Sequence, residues 1–143
     1  MKDEEDRTAI LEHLIRTELG TEFGVLDVVD AGERRGKLVE LLHLYLSDEH
    51  GHADGWVLPS LTAEVAGTDD QVCELYQLRI SRVVALVAPA MPGDAEQRKQ
   101  RAWTVVAAIV GAVSLARAMP DGAHGRAVRE ATLKSVEAMI TQP

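Results

Sequence analysis

Residues 102–116, AWTVVAAIVGAVSLA, run for 15 positions without a charge and are closed by Arg101 and Arg117. A helix with no polar face must be surrounded by protein or lie in a membrane. A spanning helix needs roughly 20 apolar residues, so this shorter run reads as a helix enclosed by protein. Small residues stack along it: Ala108, Ala112 and Ala116 at four-residue spacing, with Ala107, Gly111 and Ser114 beside them. Such a stripe lets another helix backbone come close. An all-round apolar helix is either central in its own domain or shared with a partner. A chain of 143 residues has few other helices to enclose it, so a shared helix is the expectation.

The rest of the composition narrows the class. Apolar residues are 46% of the chain but aromatics only 3%. The core must therefore come from Leu, Val, Ile and Ala, which favours close-packed helices over a β-sandwich. The length suits one domain, residues 1–143. A formal net charge of −8 and the lack of a basic face argue against direct contact with DNA or RNA phosphates. The single Cys73 allows no internal disulfide and fits a reducing, cytoplasmic setting. The N-terminus MKDEEDRTAI has no signal-peptide pattern.

Capping and breaking signals divide the chain into about six helices. The first is expected at about 6–22, with Ile10, Leu11, Leu14, Ile15 and Leu19 on one face and Glu18 in the middle of that face; Phe23-Gly24 ends it. VLDVV, residues 25–29, is ambiguous, an extended connector being one reading. Asp30 with Glu33 has the capping-box pattern for a helix at 31–46. SDEHGHADG, residues 47–55, is a polar loop. Pro59 opens a short third helix and Gly67 closes it in a left-handed conformation. Thr68 with Gln71 caps a fourth helix at 69–88, which stops before Pro89. Asp94 with Gln97 caps the fifth, 95–118. MPDG, residues 119–122, breaks it, and a sixth runs over 123–140. The expected fold is all-α, with the last two helices forming a four-helix bundle across a two-fold axis. Ala108, Gly111, Ala112, Leu115 and Ala116 of the fifth helix are expected at that interface, with Ala127, Ala131, Ser135 and Ala138 of the sixth.

Two segments resemble a known family. YLSDEHGHADGWVLPSLTAEVAGTD (45–69) is similar to the middle of the C-terminal domain of TetR-type transcriptional regulators. In one branch a Tyr-Leu-Ser turn there leads through a polar Glu-His loop to a short Leu-Thr-Ala-Glu-Val-Ala helix. WTVVAAIVGAVSLARAMPD (103–121) resembles that branch's penultimate helix. Together they span roughly residues 31–121. Two features depart from the pattern: Trp56 follows Gly55 where the branch usually has Cys, and nothing here resembles the family's DNA-reading helix-turn-helix. The resemblance implies a homodimeric regulatory domain of a repressor, released by a small, largely apolar effector. DNA would be contacted only through a helix-turn-helix not present in this chain. An alternative from another class is a stand-alone helical protein that pairs with a full-length regulator, or a small-molecule carrier.

Candidate ligand residues are Glu18, which interrupts an apolar stripe, and Tyr45, Trp56, Tyr76, Ile80 and Trp103, which suit the wall of an apolar cavity. Ordinary core packing is the competing role for each aromatic. His43 beside Tyr45 has the same standing. Glu64 is expected in a structural role toward a neighbouring helix backbone, and Cys73 as an inert buried thiol. His50 and His52 lie among Asp48, Glu49 and Asp54, but neighbouring loop residues rarely converge on one ion, so no metal is expected. No nucleophile motif, phosphate loop or paired-carboxylate signature appears, so neither an enzyme, a cofactor nor a membrane partner is expected.

Overall fold

The first helix ends on a turn that the sequence pattern places too late. In the computed structural model, which describes residues 2–47 and 57–141, α1 spans Lys2–Thr17. Asp3, Glu4 and Glu5 in its first turn and Arg16 in its last complement the helix dipole. Leu11 and Ile15 are buried one turn apart. The chain then reverses at Gly20, whose φ is 73°, and a 3₁₀ turn over Thr21–Gly24 buries Phe23. Phe23 is therefore a core anchor of a second turn, not the end of α1. Val25–Val28 forms a single helical turn that buries Leu26, so only Val29 is extended. Asp30 is extended as well, but its side chain makes no capping hydrogen bond to the 3₁₀ turn Ala31–Glu33 that follows.

α2, Arg34–Leu46, buries Leu38, Leu42 and Leu46 at four-residue spacing. α3, Val57–Val65, buries Leu58, Pro59, Leu61 and Val65. Pro59 is its third residue, where the first turn lacks acceptors for backbone N–H groups in any case. Gly67 does not stop α3 in a left-handed conformation: the glycines with positive φ among the described residues are Gly20 and Gly93. The turn closes instead through Gly67 N–H to Glu64 O at 3.4 Å and Thr68 N–H to Val65 O at 3.0 Å. The next cap also shifts by one residue. Thr68 donates its hydroxyl to Val65 O, and Asp69 caps α4, Asp70–Val87, accepting from Val72 N–H at 3.1 Å.

α5, Ala95–Ala118, opens with the expected capping box: Asp94 and Gln97 exchange side-chain to backbone bonds, both 2.9 Å. Asp121 accepts from Ala123 N–H at 2.9 Å at the start of α6, Gly122–Thr141. That bond, with the side chain of His124, holds the Asp121 carboxyl below its ordinary range. No strand occurs among the described residues. The fold is all-α, with six helices among the described residues besides the single turn.

α5 runs through the assembly and meets α2, α3, α4 and α6; α6 packs on α5 and α2, and α1 packs on α4 and α3. Ala102, Val105, Val106, Ile109, Ala112, Val113 and Ala116 of α5 are buried. By length and composition alone α5 could cross a membrane, yet this half of it is occupied by neighbouring helices. No polar or charged side chain is fully buried among the described residues.

Candidate interaction face and ligand clefts

The uncharged run of α5 has two sides. Val105, Val106, Ile109 and Val113 lie inward, and their spacing fixes the rotation of the helix. The opposite side carries Trp103, Thr104, Ala107, Ser114 and Leu115, all exposed, with Ala108, Val110 and Gly111 half-buried. Trp103 keeps 41% of its surface exposed and Leu115 53%. Solvent-facing positions on a helix of a chain with 27% charged residues would ordinarily be charged. Here none is, for four turns. Beside it, α6 exposes Ala127, Ala131 and Ser135, with Ala138 half-buried. The two helices pack together, and Arg126, Glu130 and Lys134 of α6 are exposed beside these small residues.

This placement sorts the residues expected at a dimer interface. Ala108, Gly111, Leu115, Ala127, Ala131, Ser135 and Ala138 retain surface. Ala112 and Ala116 do not: they are 3% and 9% exposed and face the protomer's own core. For Ala116 the reason is the closeness of α6, where a Cβ added to Gly125 would lie 3.6 Å from the Ala116 Cβ. Their small size serves packing within the chain. Trp103, Thr104, Ala107 and Ser114 take the outward positions instead. The β-branched residues at 105, 106, 109 and 113 lie inward, but Thr104 and Val110 on the outer side blur that signal.

The residues expected to line one ligand cavity are not brought together. Glu18 falls just beyond α1, because the helix ends at Thr17, and it is exposed. Trp103 lies on the outer face. Tyr76 is half-buried, its hydroxyl 2.6 Å from that of Thr62, and ties α4 to α3. Ile80, one turn on, is 7% exposed in the core. Tyr45 borders an apolar niche with Phe23, Leu41, Leu42 and Ile109 that has no room for a water molecule. Burial, and secondarily the charge of Glu22, raises the Tyr45 phenol above its ordinary 10.0. Trp56, like the His50 and His52 loop with Asp48, Glu49 and Asp54, lies outside the described residues.

His43 sits 3.2 Å from Glu137 across the α2–α6 seam, both partly exposed. Glu64 is exposed rather than turned to a neighbouring helix. Cys73 is half-buried, its thiol 3.5 Å from Val65 O. Among the described residues no group of three or more His, Cys, Asp or Glu side chains is placed to hold a metal ion. A further cleft, of which the sequence carries no sign, lies between the Gly20 turn and α4, lined in part by Arg79 and Arg82. Nothing local in the sequence pairs those arginines with a turn some 60 residues earlier. No protein-family model matches this chain, and it has no match among curated proteins or solved structures.

Proposed function

We propose that this chain is the effector-binding and dimerisation domain of a TetR-type transcriptional regulator, joined to its partner across α5 and α6. The observation that carries the reading is the exposed, charge-free face of α5 continued by the small residues of α6. An exposed apolar patch of this kind is the usual mark of an interaction surface. A two-fold pairing of two helices from each protomer would bury it as a four-helix bundle, with Trp103 and Leu115 as its large side chains and the charged residues of α6 at the rim.

In this reading an effector of small, largely apolar character parts α2 from α5 at the Tyr45 niche. It would act only in so far as it binds two dimer geometries with different affinity. DNA is read by a helix-turn-helix joined to this domain, since a net charge of −8 disfavours phosphate contact here. The domain works in the cytoplasm as a repressor subunit and performs no catalysis.

The test is the mass in solution. Light scattering on the eluting protein should give about 31 kDa, twice the 15.5 kDa of the chain. Leu115→Glu and Ala131→Glu alter exposed positions, so each should change protomer stability by less than about 0.5 kcal/mol. Both should halve the mass by placing carboxylates in the bundle. A wild-type mass of 15.5 kDa at every concentration would sink the proposal. So would a dimer indifferent to both substitutions.

A further inference from the structure

The turn that ends α1 lies directly against α4. A Cβ on Gly20 would overlap Val83 Cγ2, and φ there is 73°, so this approach is open to glycine alone. Arg79 reaches across from α4 and donates through Nη2 to Arg16 O at 2.8 Å. Between the turn, the Val25–Val28 helix and α4 remains a cleft of about 320 Å³, within the range of small-molecule sites. Leu19, Val83 and Leu86 supply its apolar part. Leu19 and Val83 are 5% and 3% exposed, so that part is set by the core and holds its shape. Thr21, Asp27, Arg79 and Arg82 supply the polar part.

Neither arginine makes an ion pair among the described residues, although acidic residues outnumber basic ones by 23 to 15. Arg79 uses one of its several donors on the Arg16 carbonyl. Arg82 is exposed and makes no hydrogen bond among the described residues. Two guanidiniums without an ion pair among the described residues, beside a buried apolar surface, suit a molecule with an anionic head and an apolar body. Asp27, which also lines the cleft, opposes a second negative charge.

We propose that this cleft binds a small organic monocarboxylate. The carboxylate meets the guanidinium of Arg82, assisted by Arg79, and the apolar tail lies on Leu19, Val83 and Leu86. The planar fork of arginine matches a carboxylate through two parallel hydrogen bonds. The site uses no residue of α5 or α6, so it stands whether or not the chain dimerises.

The experiment is a titration of the full ¹⁵N-labelled chain, read by amide chemical shifts, with hexanoate, hexan-1-ol and inorganic phosphate as probes. Hexanoate should move the amides of Gly20, Thr21, Gly24 and Leu86, while the alcohol and phosphate leave them in place. Arg82→Gln should weaken hexanoate binding by about tenfold or more, since a hydrogen-bonded charge is removed, with the melting temperature and the mass in solution unchanged. Should that variant melt early, Arg82→Lys replaces it; loss of the planar fork should still weaken binding several-fold. No response to hexanoate overturns the proposal. Shifts centred elsewhere, equal shifts from hexan-1-ol or from phosphate, or undiminished binding by the variant that folds would do the same.

Discussion

Glycine has opposite meanings at three positions of this chain. At Gly20 both the left-handed backbone, φ 73°, and the contact with Val83 exclude a side chain. Gly20→Ala should cost about 2–4 kcal/mol in chemical denaturation, from roughly 1–2 for the backbone and a similar amount for overpacking. Gly36, in α2, has nothing within 4 Å of an added Cβ; Gly36→Ala should stabilise by up to about 1 kcal/mol. Equal effects at the two sites would contradict the turn geometry. Tyr45 adds a pH dependence. Its phenol is raised by burial and by Glu22, so the fold favours the neutral form. The stability it contributes is complete below 10.0 and is lost as pH rises through the higher folded value. The chain has two tyrosines, so in Tyr76→Phe the phenolate absorbance reports Tyr45 alone. Its midpoint should lie above 10.0 and fall when the chain is unfolded in denaturant.

At the scale of single elements, α5 carries the third glycine. Gly111 is half-exposed and has open space around it within the protomer. Gly111→Ala should therefore raise the stability of the isolated protomer by about 0.5–1 kcal/mol. The same methyl at a close helix crossing should push the partner away and weaken dimerisation by about tenfold, the equivalent of roughly 1.4 kcal/mol of overpacking. Sedimentation at several concentrations separates the two effects. A dimer as tight as wild type would move the crossing point away from Gly111. The helix itself needs no partner to form: its capping box and its buried valines are complete within the chain.

At the scale of the whole molecule, a shared α5–α6 bundle links folding to association. The midpoint of thermal unfolding should then rise with protein concentration, because only folded chains pair. Leu115→Glu should abolish that dependence and leave the low-concentration midpoint nearly unchanged. A wild-type midpoint that does not vary with concentration would mean that the exposed face of α5 contributes nothing to the folded state's free energy.

The all-α class, the existence of each long helix and the capping box at Asp94 were legible because they rest on local spacing. Apolar positions three and four apart make a helix amphipathic wherever it packs, and an Asx residue three before Gln caps it regardless of neighbours. The boundaries near Thr17, Gly67 and Asp69 were less so. Glycine permits a left-handed turn without requiring one, and Thr68 can turn its hydroxyl back to Val65 as readily as forward to α4. The sidedness of α5 was hidden by its own composition, since a helix of Ala, Val and Gly looks alike all round. Packing decided it: α6 came close enough at Gly125 to enclose Ala116, and Trp103 was left facing out. The Arg79–Arg82 cleft belongs wholly to the tertiary structure. It exists because a turn and a helix far apart in sequence meet at one glycine without a side chain.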